Sequence, residues 1–232
     1  MSDTTPLPHP IPHVLDQLED IPLERRRPLL AVDADEVLVH LAAHLKRFLN
    51  KHGIELRLTE YKLEGTMFLN GSDHPLPFDE SLGWLGTFFD DEVLRQEALP
   101  NAPEVLLRLS EIAQIMVLTN VPKHGRDKRI ENLKGLGLGY PLVENAGGKG
   151  AALAWMQRKI DAPVIFIDDS PNQIRSAKKI APSVTCIHFA GAEMVAHLIP
   201  PCAEADHRVT DWLACEALIW DLLRSDEARS TS

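Results

Sequence analysis

Two pairs of aspartates stand at the ends of short apolar runs, where carboxylates are costly unless something binds them. Asp33 and Asp35 follow Leu-Leu-Ala-Val, and Asp168 and Asp169 follow Val-Ile-Phe-Ile. Apolar runs of this length, bounded by polar residues, are typical of buried parallel strands, and ligands of open α/β sheets collect where such strands end. Four acids at two strand ends therefore predict a magnesium site.

One aspartate pair alone could have a simpler role, because aspartate often caps the start of a helix. Crowded carboxylates also repel one another, so without a cation at least one would take up a proton. Two pairs occur here, however, and Thr119 and Lys149 lie between them in the chain. This combination favours the metal site over a pair of helix caps.

The charge balance limits the class of ligand. The chain of 232 residues has 24 Lys plus Arg against 34 Asp plus Glu, a net charge of −10. This balance gives no basic footprint for a nucleic acid polymer, and a small anionic substrate would need a local positive site. We therefore expect no nucleic acid polymer as a partner, and we expect a monomer or a homodimer.

The cysteines and the N-terminus indicate the compartment. Cys186, Cys202 and Cys215 are odd in number and lack metal-type spacing, which fits a reduced environment. No segment approaches the length of a membrane span, and residues 1–12 are Pro-rich where a signal peptide would be apolar. These features predict a soluble, cytoplasmic protein that does not bind a membrane.

Helices and strands are expected to alternate from residue 101 onward, which implies a doubly wound parallel sheet of the α/β class. A strand at 29–33 and a helix at 40–51 precede this region. The expected elements are helix 102–112, strand 115–119, helix 125–136, strand 141–143, helix 149–159, strand 164–168, helix 171–180, strand 184–188, helix 192–198, strand 207–209 and helix 211–223.

The alternation is interrupted once, by a stretch rich in Gly, Pro and aromatic residues. We therefore divide the chain into a Pro-rich arm (1–27), a core (28–40 and 101–225) and an inserted, mainly helical cap (41–100). The arm is expected to lie outside the core, irregular except for one helical turn near residues 14–18. In the cap, Thr59 is expected to start one helix, and residues 90–98 are expected to form another. Its aromatics are Phe68, Phe78, Trp84, Phe88 and Phe89; they could stack on a base, although a packing role within the cap fits better.

The ordered motifs resemble those of the haloacid dehalogenase-like superfamily. They are Asp33-Ala34-Asp35-Glu36-Val37-Leu38, then Val117-Leu118-Thr119-Asn120, then Lys149, then Ile167-Asp168-Asp169-Ser170. The resemblance covers roughly residues 28–225 and depends on the ordered set, since Asp-x-Asp alone is common. It implies a Rossmann-like core with a cap, and phosphoryl transfer from a small phosphorylated metabolite with Mg²⁺ as cofactor.

The resemblance assigns a role to each acid. Asp33 would be the nucleophile that forms an aspartyl-phosphate. Asp35 would protonate the leaving oxygen and later activate water, while its backbone carbonyl binds the metal. Asp168 would complete the magnesium shell, and Asp169 would support it through water or a hydrogen bond.

The phosphate-binding residues are expected at two helix entrances. Thr119 offers a hydroxyl and Asn120 a backbone N–H, although Thr-Asn at a strand end is often only a turn. Lys149 lies between glycines, where the family pattern places a lysine. Lys123 is the alternative, in a basic run with Arg126, Lys128 and Arg129 that otherwise has the character of a solvated helix face.

The reaction type follows from Asp35, because dehalogenases and transport ATPases of this superfamily lack an aspartate at that position. The pattern thus implies hydrolysis of a phosphomonoester. A phosphomutase or another phosphotransferase would use the same motifs, and a non-catalytic module that binds a phosphorylated ligand is a further alternative. The first motif is also similar to the deoxyribonucleotidase-like branch, which has an aspartate where this chain has His40.

Overall fold

The short apolar runs form most of the strands in the computed structural model, which describes residues 9–230 and side chains as far as residue 226. The strands are β1 (Leu29–Val32), β2 (Ile54–Leu56), β3 (Met67–Leu69), β4 (Gln114–Thr119), β5 (Leu142–Glu144), β6 (Val164–Asp168), β7 (Thr185–Phe189) and β8 (His207–Val209). The helices are α1 (Pro12–Asp20), α2 (Ala42–Lys51), α3 (Phe78–Asp91), α4 (Ala102–Leu109), α5 (Arg126–Gly135), α6 (Gly150–Lys159), α7 (Pro171–Ile180) and α8 (Trp212–Ser230), with short 3-10 helices at Val93–Arg95 and Lys123–Gly125.

Six of these strands form one parallel sheet in the order β5-β4-β1-β6-β7-β8. The chain passes from β1 to β4 and β5 on one side, and then crosses β1 to build β6, β7 and β8 on the other. This reversal places the topological switch point beside β1, where doubly wound sheets bind their ligands. The predicted doubly wound parallel sheet is confirmed.

The sheet is buried on both faces, as expected of parallel strands covered by crossover helices. Alternate residues of β1 belong to different clusters: Leu30 and Val32 pack with α4, α5 and α8, whereas Leu29 and Ala31 pack with α1, α6 and α7. Because side chains alternate across a strand, this apolar run of four residues contributes to both layers.

The N-terminal arm differs from the expectation. Pro12–Asp20 forms a helix of nine residues, and its Val14 and Leu18 are buried in the core cluster with Leu153 and Phe166. The helical turn expected near residues 14–18 is part of this longer helix, whose first turn contains Pro12 because proline is compatible with that position. The part of the arm that covers residues 1–8 lies outside the described residues.

Residues between β1 and α4 add a third apolar cluster beside the sheet. It combines side chains of α2 and α3 with the antiparallel hairpin of β2 and β3. The two connections to this unit pair with each other, because the Leu99 N–H donates to the Leu38 carbonyl (2.8 Å) and the His40 N–H to the Glu97 carbonyl (3.0 Å). The division into a core and a cap at 41–100 remains a prediction.

The helix expected after Thr59 is absent, and the range 90–98 contains only the end of α3 and the short 3-10 helix Val93–Arg95. Residues 57–66 form the loop between β2 and β3, and the long helix is α3, which begins after Pro77 with Asp79 and Glu80 in its first turn. Proline at the boundary and acids in the first turn both favour a helix start there. The short helix expected at 192–198 is a series of turns, since a segment of seven residues barely supports helix nucleation.

No helix within residues 9–230 has the length and apolar character needed to cross a membrane.

Candidate active site

Three neighbouring strands bring polar residues to one edge of the sheet. Asp33 follows β1, Thr119 ends β4 and Asp168 ends β6, and β4 and β6 both pair with β1. The backbone continues the pairing at the edge, where the Asp33 N–H donates to the Ile167 carbonyl at 2.9 Å. These residues open into a cleft of about 210 Å³ lined by Asp33, Asp35, Glu36, Leu41, Tyr61, Thr119, Asn120, Lys149, Asp168, Asp169, Ser170 and Gln173.

Lys149 joins two of the carboxylates. Its Nζ lies 2.5 Å from Asp33 Oδ1 and 2.6 Å from Asp168 Oδ2, and the residue is 1% exposed. Burial alone would lower the pKa of Lys149, but the charges of Asp168 and Asp33 outweigh it and raise the pKa. Lys149 is therefore a permanent cation in the cleft.

The backbone around Lys149 is fixed by close contact between α6 and α7. The Lys149 N–H donates to Gln173 Oε1 (2.9 Å), and the Gly150 N–H donates to Ser176 Oγ (3.1 Å). A Cβ at Gly148 would collide with the Ser176 hydroxyl, and one at Gly150 with the Ser176 carbonyl. The two glycines thus permit the close packing that directs Lys149 toward Asp33.

Three carboxylates lie close enough to share a cation. Oxygen atoms of Asp33, Asp168 and Asp169 lie within 4.8 Å of one another, the one such group among the described residues. Burial raises the pKa of Asp168 to about 7 and raises that of Asp169 well above its usual value. Buried oxygen ligands that are hard to ionise without a counter-charge fit a hard divalent cation.

Asp35 lies in the same cleft but contacts a different cation. Its Oδ1 is 2.6 Å from Arg129 Nη2, and its carboxylate is not one of the three that gather at Asp33. Burial raises the pKa of Asp35, and the charge of Arg129 opposes that rise. A carboxyl group that retains its proton more strongly than usual, yet stays anchored, suits a proton donor.

Arg129 corrects the prediction that the basic run of α5 is a solvated face. The residue is fully buried, and its Nε and Nη1 have no hydrogen-bond partner within the described part of the chain. The helix points it inward, toward an acid that is 94 residues away in the chain. Nothing local in the sequence distinguishes Arg129 from Arg126 and Lys128, which are only half-buried.

The turn after Asp33 contains a second unforeseen residue, Glu36. Its backbone has φ of 59°, and its carboxylate accepts the N–H groups of Leu41 (3.0 Å) and Ala42 (2.5 Å) where α2 begins. Burial raises the pKa of Glu36 to about 7. On the other side of the turn, Trp212 Nε1 donates to the Val37 carbonyl at 2.8 Å. The turn is thus held by both α2 and α8.

The end of β4 offers the expected donors. Thr119 is buried, and its hydroxyl has no partner among residues 9–230. Asn120 is exposed and fixed by two hydrogen bonds of 2.8 Å, from its Nδ2 to the Gly147 carbonyl and from Asn145 Nδ2 to its Oδ1. An unpaired buried hydroxyl at a strand end is a ready donor to an anion.

The structure therefore brings every predicted site residue to one cleft. It adds Glu36, Gln173 and Ser170 to the lining, together with Leu41 and Tyr61. Lys123, by contrast, is exposed and does not line the cleft. The catalytic and ligand-binding roles of these residues remain predictions.

Solved structures with the same architecture carry the haloacid dehalogenase-like fold. A conserved haloacid dehalogenase-like protein of unknown function from Agrobacterium tumefaciens superposes with a TM-score of 0.57 at 20% identity, covering 84% of this chain and 98% of that one. A HAD family hydrolase from Deinococcus radiodurans, with bound phosphate and sodium, superposes with a TM-score of 0.55 at 18% identity. The match covers 85% of this chain and 96% of that one. A predicted phosphoglycolate phosphatase from Haemophilus somnus superposes with a TM-score of 0.54 at 16% identity. The match covers 85% of this chain and 100% of that one.

These likenesses establish that the chain has the haloacid dehalogenase-like fold along most of its length. No sequence-family model and no curated protein matches the chain.

Proposed function

We propose that this protein is a magnesium-dependent phosphatase that hydrolyses a small phosphomonoester through an aspartyl-phosphate on Asp33. The observation that carries the proposal is the pair of anchored acids in one cleft. Asp33 is held by Lys149 and gathered with Asp168 and Asp169, while Asp35 is held apart by Arg129. This arrangement supports Asp33 as the attacking acid and Asp35 as the acid for proton transfer.

The reaction divides into two displacements at phosphorus. In the first, an Asp33 carboxylate oxygen forms a bond to phosphorus, the bond to the ester oxygen breaks, and Asp35 gives that oxygen its proton. In the second, Asp35 takes a proton from water, whose oxygen bonds to phosphorus as the Asp33–phosphorus bond breaks. Alcohol and inorganic phosphate are the products, and both carboxylates return to their starting states.

The remaining cleft residues stabilise charge in this scheme. The Lys149 ammonium lies beside the Asp33 carboxylate, and the Thr119 hydroxyl and Asn120 N–H, which line the same cleft, would donate to phosphate oxygens. Asp33, Asp168 and Asp169 would hold Mg²⁺, with the Asp35 carbonyl as a further ligand. When bound, the cation supplies neutralisation of phosphate oxygen charge.

The proposal is tested by phosphate release from phenyl phosphate and a panel of metabolite phosphomonoesters. We expect turnover with Mg²⁺, loss to background in EDTA, and recovery when excess Mg²⁺ is added. Turnover that persists in EDTA would contradict the metal dependence. If the whole panel is inert but beryllofluoride with Mg²⁺ still binds, the protein is a phosphate-binding module and not a hydrolase.

Magnesium is also expected to stabilise the protein more strongly at pH 8 than at pH 6. Because burial raises the pKa of Asp168 to about 7, its proton competes with the cation as the pH falls through that value. At about 100 times its Kd, Mg²⁺ should raise the free energy of unfolding by about 2.7 kcal/mol at pH 8, or roughly 5–10 °C in Tm. Below pH 7 the affinity should fall about tenfold per pH unit for each proton displaced.

Tm is measured with and without Mg²⁺ at each pH. The difference between the two values removes the contribution that histidines outside the site make to Tm. Asp168→Asn serves as the matched variant and should lose most of the Mg²⁺ effect. An equal Mg²⁺ effect at both pH values, or in the variant, would place the cation elsewhere.

A further inference from the structure

The catalytic cleft continues into a second pocket of about 220 Å³. The two share Glu36, Leu41, Tyr61 and Ser170, so that a molecule with its phosphate at Asp33 can extend into the second pocket without leaving the cleft. An engineered apolar cavity of ~150 Å³ is known to bind benzene, so this volume suffices for an aromatic ring or a short branched chain.

The walls of the second pocket are mainly apolar. Leu58, Tyr61 and Leu63 come from the loop between β2 and β3, Leu41 from the start of α2, and Val195 from the turns after β7. Val195 is buried, whereas the three loop residues are half-buried. Their apolar surface therefore remains partly exposed to solvent, and a ligand would cover it.

The loop that carries three of these residues is closed at its base. The Arg57 N–H donates to the Thr66 carbonyl (2.8 Å), and Thr66 Oγ1 donates to the Leu63 carbonyl (2.6 Å). Leu58 also packs against both the sheet cluster and the cluster of the inserted unit. A pocket wall that is tied at both ends can bind a ligand without first being ordered.

The charges at the rim disfavour a second anionic group. Among the described residues that line the pocket, Lys62 is the one cation and is paired with Glu60 at 2.7 Å, and Glu36 lines the pocket as well. A carboxylate or second phosphate on the substrate would thus meet two acids and no free cation. The aromatic residues Phe68, Phe78, Trp84, Phe88 and Phe89 line neither this pocket nor the cleft.

We propose that this pocket binds the leaving group of the substrate, which is the phosphomonoester of an apolar alcohol, aromatic or branched, without a second charge. The inference rests on the proposed phosphatase function and specifies its substrate class. It also distinguishes the chain from phosphatases of small dianionic acids such as phosphoglycolate.

Binding of non-hydrolysable phosphonates tests the pocket independently of catalysis. Isothermal titration of the protein with Mg²⁺ should show benzylphosphonate binding at least tenfold more tightly than methylphosphonate, about 1.4 kcal/mol, and more tightly than phosphonoacetate. Tyr61→Ala should reduce the benzyl-to-methyl ratio about tenfold, and Leu63→Ala should reduce it in the same direction. Phe78→Ala removes an exposed aromatic of the same unit and should keep the ratio.

The outcomes separate the two proposals. Equal affinity for benzyl- and methylphosphonate, or tighter binding of phosphonoacetate, overturns the apolar pocket whether or not the protein is an enzyme. A ratio that Tyr61→Ala and Leu63→Ala leave unchanged, while thermal melting shows both variants folded, also overturns it. Selective benzylphosphonate binding without turnover of benzyl phosphate supports the pocket and contradicts the phosphatase.

Discussion

Asp33→Asn is expected to reduce phosphate release by at least about 10³-fold, because the variant lacks the proposed nucleophile but keeps its size. Asp168 still accepts a hydrogen bond from Lys149 at 2.6 Å, so the cleft retains its main cation contact and the variant should fold. Single-turnover phosphate release measures the rate, and thermal melting confirms the fold. The wild-type protein should carry labelled phosphate when it is quenched during turnover of a phosphomonoester labelled in the phosphoryl group. The variant should carry none.

Asp161→Asn is the matched control for this experiment. Asp161 is exposed and pairs with Arg25 at the opposite edge of the sheet, before β6 begins. Its replacement changes the net charge by the same amount and should leave the rate unaltered. If Asp33→Asn retains much of the wild-type rate, the covalent route through this residue is wrong.

Lys149→Met is the second large effect, and it should damage both activity and stability. The side chain is 2% exposed and lies between Asp33 and Asp168. Its loss leaves buried carboxylates without their counter-charge, which costs about 3–5 kcal/mol in similar buried pairs. Loss of a preorganised charge beside the reacting group should lower the rate by about 10²-fold or more. Chemical denaturation in EDTA measures the loss of stability. Phosphate release in Mg²⁺ measures the loss of rate.

Lys123→Met decides between the two candidate lysines. Lys123 is exposed in the short 3-10 helix Lys123–Gly125 and does not line the cleft, so its variant should match wild type in stability and rate. Mg²⁺ should also restore part of the stability that Lys149→Met loses, because the cation neutralises the same carboxylates. A larger loss of rate in Lys123→Met than in Lys149→Met would reverse the assignment.

The sheet was predictable because each central strand is a short apolar run with a polar end. β6 and α7 have the expected bounds, since Val164–Asp168 ends in acids and Pro171 sets the helix start. Asp33, Thr119 and Asp168 could be found in the same way, because each ends such a run. Lys149 was recognised only through its order among the motifs, since its partners come from distant parts of the chain.

The burial of Arg129 and of α1 was not predicted, because both depend on long-range packing. Whether a basic residue of α5 faces water or the core depends on Asp35, which is 94 residues away in the chain. Likewise, Val14 and Leu18 of α1 are buried by side chains more than a hundred residues further on, such as Leu153 and Phe166. The apolar spacing of Val14 and Leu18 indicates a helix, but the segment alone does not show which residues cover it.

The contact of α6 with α7 has a consequence for how sequences of this kind should vary. Gly148 lies against the Ser176 side chain and Gly150 against the Ser176 backbone, so a larger residue at Gly150 would require α7 to move and one at Gly148 would require the Ser176 side chain to give way. A shift of α7 would carry Gln173, which accepts the Lys149 N–H, away from the lysine. Homologues should therefore keep small residues at these three positions as a group, and a search that requires this triad together with the lysine should be more selective than the lysine alone.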